Sequence, residues 1–141
     1  MYLIDTNVVS EVRKGRSANP GVRAFFRRCT REGASLWLSV VTIGELRRGV
    51  DLIRHRGDGK QADRLEAWLG ALVEEYRDSI LPFDLDAAQV WGRLRVPHPE
   101  NSLDKQIAAT ALLHDLTVVT RNVDDFAGTG VRLLNPFASD G

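Results

Sequence analysis

The sequence predicts an α/β fold, a three-layer α/β/α arrangement with a central parallel sheet. Short apolar runs alternate with amphipathic stretches along the whole chain, the pattern of strands joined by covering helices. The first run, Met1-Tyr2-Leu3-Ile4, is apolar throughout and reads as a buried strand. Acidic residues recur at the ends of such runs or just after them, where open α/β sheets gather their ligands.

The elements follow in order. Strand one covers Tyr2–Asp5, and Thr6–Lys14 is a first helix with Val8, Val9 and Val12 as its apolar stripe. Asn19-Pro20 is a capping side chain followed by proline at the first helical position, and this second helix runs to Arg31, before Glu32-Gly33. Strand two is Ser35–Ser39. Val41–His55 is a helix with Ile43, Leu46, Val50 and Ile53 on one face, broken by Gly57-Asp58-Gly59. Gln61–Tyr76 follows, with Leu65, Trp68, Leu69, Leu72 and Val73 spaced for burial. Ile80–Phe83 is a short strand, and Asp84 or Asp86 caps a helix reaching Arg95. Val96–Glu100, with its two prolines, is a loop. A helix over Ser102–His114 is alanine-rich where it must approach the sheet. Leu116–Thr120 is a strand, Val123–Phe126 a turn of helix, and Val131–Leu134 a final strand.

A chain of 141 residues fits a single domain over 1–141 with a reasonable core. With 43% hydrophobic and 27% charged residues it has an ordinary globular composition. No apolar stretch approaches the roughly 20 residues of a membrane span, and no signal peptide is evident, so a cytoplasmic protein is expected. Cys29 is the only cysteine, which excludes an internal disulfide and a thiolate metal site. His55, His98 and His114 share no ligand spacing and read as surface or loop residues; Trp37, Trp68 and Trp91 read as core or interface. The formal net charge is zero but unevenly distributed. Residues 1–60 carry 12 Lys/Arg against 6 Asp/Glu, and residues 61–141 carry 7 against 13. That asymmetry suits an anionic partner, with an uneven solvated surface as the plain alternative.

The acidic positions carry the chemistry. Asp5 closes strand one, where an unpaired buried carboxylate costs several kcal/mol and no local cap explains it. Glu45 is expected in the first turn of the helix after strand two, and Asp104 in the first turn after the proline loop. Asn122, Asp124 and Asp125 follow the strand ending at Thr120. All these positions are β-to-α junctions and share one edge of a parallel sheet. Carboxylates gathered there need a cation, and oxygen donors without His or Cys favour Mg²⁺ or Mn²⁺ over zinc. Each residue also has a plainer reading. Glu45 completes Thr42-x-x-Glu45, a capping box. Asp104 complements a helix dipole, and Asp124 and Asp125 are solvated turn acids.

The segments Tyr2-Leu-Ile-Asp-Thr-Asn-Val-Val-Ser-Glu11, Leu38-Ser-Val-Val-Thr-Ile-Gly-Glu-Leu46, Asp104-Lys-Gln-Ile-Ala-Ala-Thr110 and Leu116-Thr-Val-Val-Thr-Arg-Asn122 make a set. With Asp125-Phe126 and Leu134-Asn-Pro-Phe137, this set resembles the PIN-domain ribonucleases, in particular VapC-type toxins of toxin–antitoxin pairs. The resemblance spans nearly the whole chain. It implies that Asp5, Glu45 and Asp104 are the catalytic acids, with Asp5 and Asp104 holding Mg²⁺ (or Mn²⁺) and Glu45 binding through water or orienting the nucleophile. Where many relatives have a fourth aspartate this chain has Asn122, a neutral oxygen, so that Asp124 or Asp125 would complete the site or a single metal would suffice. Thr6, Asn7, Thr120 and Asn122 would contact phosphate oxygens or support the ligands. The resemblance further implies an endoribonuclease acting on RNA, transfer RNA or another structured RNA included. It implies a homodimer and a cognate antitoxin through which DNA is reached indirectly.

The groups Arg13-Lys14-x-Arg16, Arg27-Arg28, Arg47-Arg48 and Arg54-x-Arg56 suit a polyanion track or, alternatively, solvated helix faces. Aspartyl phosphotransfer fits poorly, because Asp5-Thr6-Asn7 lacks the second aspartate of haloacid-dehalogenase-like phosphatases. A receiver domain would need a later lysine than Lys105. No Gly-rich phosphate loop is present. A catalytically weak PIN-like module acting on DNA with its antitoxin is the second functional class.

Overall fold

The computed structural model describes residues 1–138. Its centre is a five-stranded sheet in the order β3-β2-β1-β4-β5, every pair parallel. The strands are β1 (Tyr2–Ile4), β2 (Leu36–Ser39), β3 (Ile80–Leu81), β4 (Thr117–Val119) and β5 (Leu133–Leu134). The helices are α1 (Thr6–Val12), α2 (Pro20–Glu32), α3 (Val40–His55), α4 (Gly59–Glu75), α5 (Leu85–Leu94) and α6 (Ser102–Leu113).

Successive strand residues point to opposite faces, and the core divides accordingly. Ile4 and Val119 pack with Val8, Val22, Phe25, Leu46, Val50 and Leu69, beneath α1 to α4. Leu3 and Val118 pack with Ile107, Ala108, Ala111 and Phe126, beneath α6. The three layers expected from the alternating pattern are therefore present. Ala108, Ala109 and Ala111 are fully buried, so the alanines of α6 do allow its close approach to the sheet.

Local chemistry sets the ends of the elements. Asn19 Oδ1 accepts from the Gly21 and Val22 amides at 2.9 and 3.3 Å, with Pro20 opening α2. Gly33 ends α2 in the left-handed region, φ +66°, where a side chain would be strained. Asp84, not Asp86, caps α5 by accepting from the Ala87 amide at 3.0 Å. Ser39 caps α3 by accepting from the Val41 amide, so α3 begins at Val40, one residue earlier than the sequence suggested. The strands are shorter than expected. β3 stops at Leu81 because Pro82 has no N–H to continue a ladder, and Phe83 instead meets Trp91 edge-on at 5.9 Å. The short 3-10 turns at Gly15–Ser17, Arg77–Ser79 and Pro136–Ala138 were not foreseen.

Among the described residues no helix is long and apolar enough to cross a membrane. His55, His98 and His114 are exposed, in line with the sequence, and Cys29 is buried.

Candidate functional site

The site is assembled by register. Ile4 of β1 pairs with Val119 of β4, so the residues that follow them, Asp5 and Thr120, emerge side by side at the carboxyl edge of the two central strands. The Asp5 amide donates to the Val119 carbonyl at 3.0 Å, fixing the distance. Asp5 is 5% exposed. Its Oδ1 accepts from the Thr6 amide at 2.8 Å, and its Oδ2 accepts from the Thr120 hydroxyl at 2.8 Å and from Asn7 Nδ2 at 3.3 Å. Asn7 also donates to Thr120 Oγ1 at 3.2 Å and accepts from the Arg121 amide at 3.1 Å. The Asn122 amide donates to Thr120 Oγ1 at 3.0 Å.

Asp5 therefore does have a local structural position, contrary to expectation: it is the N-cap of α1. It caps poorly, since its side chain takes the adjacent amide and not the amides two or three residues on. Burial raises its pKa, against the hydrogen bonds from Thr120, Thr6 and Asn7 that lower it, and the nearby Asp125 charge raises it further.

A cleft of about 330 Å³ opens over Asp5, lined by Thr6, Asn7, Glu45, Asp104 and Asn122, with Val41, Leu103 and Ile107 as its apolar wall. Val41 and Glu45 are one turn apart on α3, and Leu103 and Ile107 one turn apart on α6 beside Asp104, so each helix offers one acid together with apolar contact. Asp104 is pushed up to about 6, first by burial and then by the charges of Asp5, Asp125 and Glu45. Four carboxylates from four separate segments thus share one electrostatic neighbourhood.

Several expectations need correcting. Glu45 is the sixth residue of α3, beyond its first turn, because the helix starts at Val40. The capping-box reading fails with it: Ser39 is the cap, and Thr42 Oγ1 is buried with no hydrogen-bond partner. Between the two turn acids the geometry separates cleanly. Asp125 is half-buried and raises the proton affinity of both Asp5 and Asp104, while Asp124 is exposed and does neither. Of the two roles open to Thr120, the geometry matches the supporting one: it is fully buried and its hydroxyl donates to Asp5. Arg47 and Arg54 are not free for a polyanion: Arg47 reaches Glu66 at 2.9 Å, and Arg54 reaches Asp63 at 2.9 Å and Glu66 at 3.1 Å, tying α3 to α4.

Two contributors were missed. Asn101, at φ +57°, precedes α6 and donates its Nδ2 to the Asp125 carbonyl at 3.5 Å, joining the Asp104 helix to the Asp125 turn. Lys105 is buried beside Asp104 and donates to the His98 carbonyl, pinning the proline loop. Asparagine before a helix start hinted at the first; nothing in the pattern marked Lys105 as buried.

A hard divalent ion fits the donor set, which is all oxygen and carries uncompensated negative charge in a half-closed cleft. Among the described residues no three His, Cys, Asp or Glu side chains form a metal-holding group by themselves. The fit therefore rests on charge and donor chemistry and suits an ion that keeps several of its own waters.

The model of the family described as PIN domain matches residues 2–131. The chain belongs to the PIN-domain family. This PIN domain is 34% identical to the toxin FitB of Neisseria gonorrhoeae over 97% of its own length and 99% of that protein. It is 32% identical to the VapC ribonuclease Y4jK of Sinorhizobium fredii, over 97% and 98% of the two chains. Its fold superposes on a chain in a structure of FitAB bound to a DNA fragment with a TM-score of 0.84, at 31% identity, covering 100% of this chain and 99% of that one.

Proposed function

We propose that this PIN domain is a Mg²⁺-dependent endoribonuclease and the toxin of a toxin–antitoxin pair, acting on RNA that includes transfer RNA or other structured RNA. One observation carries the reading: Asp5, Glu45 and Asp104 line one cleft with Asp125 close by, and burial together with the charges of the other three acids lifts Asp104 to about 6. Likeness to a VapC ribonuclease and to the FitB toxin supports the same class.

In this reading Asp5 and Asp104 hold the ion directly, and Glu45 faces it through water or orients the attacking water. When bound, a Mg²⁺ or Mn²⁺ ion supplies Lewis acidity, an activated water and charge stabilisation at the leaving oxygen. Thr120, Asn7 and the Thr6 amide keep Asp5 in one orientation, and their hydrogen bonds favour its charged form against the burial that raises its pKa. Asn122 offers a neutral oxygen at the cleft rim, with Asp125 supplying charge from behind it. Val41, Leu103 and Ile107 exclude water from one side, which strengthens every charge interaction inside.

The partners follow from the same reading: a homodimer in the cytoplasm, with a cognate antitoxin that covers the cleft and brings the pair to DNA. A second reading, a catalytically weak module working on DNA through its antitoxin, is favoured by Asn122 at the fourth position and by the likeness to a DNA-bound FitAB complex. The deciding experiment is metal-dependent cleavage of an RNA pool by the purified protein against Asp104→Asn, with the cut ends sequenced in cells. Cleavage that needs Mg²⁺ and Asp104 supports the nuclease; equal activity in the two proteins rejects it.

A further inference from the structure

The acidic cleft does not end at Glu45. A cavity of about 200 Å³ continues from it, sharing Thr6 and Glu45 and running on past Ser10, Arg13 and Gly49 to Trp68. Thr6, Ser10 and Arg13 stand at i, i+4 and i+7 on α1 and its cap, so they form one polar stripe along this trough.

A polyanion that brings a phosphate up to four carboxylates is repelled unless cations hold the strand on either side. Among the described residues lining the cleft and the trough, Arg13 is the one cation. It is exposed and enters no salt bridge among the described residues. Its basic neighbours differ: Lys14 is held by Glu11 at 3.0 Å, while Arg47 and Arg54 belong to the α3–α4 pairing. Arg121 lies over the Phe137 ring at 3.9 Å.

We propose that Arg13 is a substrate-binding residue whose guanidinium holds a backbone phosphate of a single RNA strand lying in the Thr6–Ser10–Arg13 trough. The proposal rests on the nuclease reading and specifies how its substrate enters. Arg13 is about 10 Å along α1 from Thr6, so it holds the backbone flanking the scissile position and not the scissile phosphate itself. The trough holds only about 200 Å³ and its far wall is apolar, Leu46, Val50, Ile53, Leu65 and Trp68, which suits the exposed bases of an unstacked strand and not a duplex.

The test is fluorescence anisotropy of a labelled single-stranded RNA in EDTA, where cleavage cannot intervene, across a salt series. Wild type, Arg13→Gln and Arg47→Gln are compared, each checked for an unchanged melting temperature. Arg13→Gln should bind roughly fivefold more weakly at low salt, and its log–log salt slope should be shallower by about 0.7, the share of one phosphate contact on a single strand. Arg47→Gln should reproduce wild type. Wild-type cleavage of the same RNA in Mg²⁺ is measured alongside. An enzyme that cleaves while Arg13→Gln keeps the wild-type affinity and slope overturns the Arg13 assignment and leaves the trough to a protein occupant. A protein that binds with an Arg13-dependent slope yet never cleaves keeps the contact and sinks the nuclease reading. No RNA binding by wild type overturns both.

Discussion

Thr120 donates its hydroxyl to Asp5 Oδ2 at 2.8 Å although 115 residues of chain separate the two. Parallel register delivers the pair: Ile4 faces Val119, and the next residue of each strand carries the polar group. The same hydroxyl oxygen accepts from the Asn122 amide and from Asn7. Thr120 thus couples the Asp5 carboxylate to the start of the Asp125 turn.

Replacing Thr120 by valine keeps its shape and removes the donor. Asp5 then loses its strongest buried partner and the Asn122 amide is left unpaired, which should cost about 1–3 kcal/mol. RNA cleavage should fall at least tenfold, while Thr120→Ser retains most of it. Urea unfolding and initial rates measure the two effects, and wild-type rates in the valine form would show that Asp5 needs no such support.

Asp104 makes stability depend on pH. Its folded carboxyl is raised to about 6 by burial and by Asp5, Asp125 and Glu45, whereas in the unfolded chain it ionises in the ordinary aspartate range. The folded state therefore holds the proton more tightly. Its contribution is full below that ordinary range and is lost as pH rises through about 6. Asp104 is half-exposed, so solvent screening limits the effect to about 1 kcal/mol. In EDTA the melting temperature of Asp104→Asn should lack this component, and parallel wild-type and variant profiles from pH 4 to 7 would contradict it.

A bound divalent ion reverses that trend. It prefers the ionised cleft and should stabilise the wild type by about 2.7 kcal/mol at 100 times its dissociation constant. Asp104→Asn should lose both the stabilisation and RNA cleavage with its fold intact. Asp5→Asn should behave worse than Asp104→Asn. Its amide keeps one acceptor oxygen but must turn its NH2 toward either Thr6 or Thr120, each of which already donates there, at a further cost of about 1–3 kcal/mol. Differential scanning fluorimetry with and without Mg²⁺ separates these outcomes.

Glu66 sits between Arg47 and Arg54 on the exposed face of the α3–α4 pair. The first cause of its lowered pKa is the hydrogen bond from Arg47. Glu66→Gln should lower stability slightly at low salt, with the difference vanishing at high salt and RNA cleavage unchanged. A loss of cleavage would return these arginines to the substrate track.

Much of the fold was legible because burial on both sheet faces leaves uninterrupted apolar runs, and Tyr2–Ile4 and Thr117–Val119 are such runs. Asn19-Pro20 and Asp84 announced their helices through backbone hydrogen bonds spanning only a few residues. The candidate acids were legible for a related reason: strand ends and helix starts alternate, so their junctions can be counted. The start of α3 was misplaced because Ser39 closes a strand and caps a helix at once. The free-arginine reading failed at Arg47 and Arg54 because their partners lie on the next helix.

By itself the sequence determined where strands and helices form, that Asp5 stands at the end of a buried strand, and that oxygen donors dominate any site. Those are local properties, set by side-chain periodicity and capping chemistry. Only the tertiary structure decided that Asp125 and not Asp124 faces Asp5 and Asp104, that Thr120 is buried beneath the cleft, and that Arg13 opens onto it while Arg54 does not. Those outcomes depend on which way a side chain points once distant segments are packed, and electrostatic interactions between them exist only at the separations packing creates.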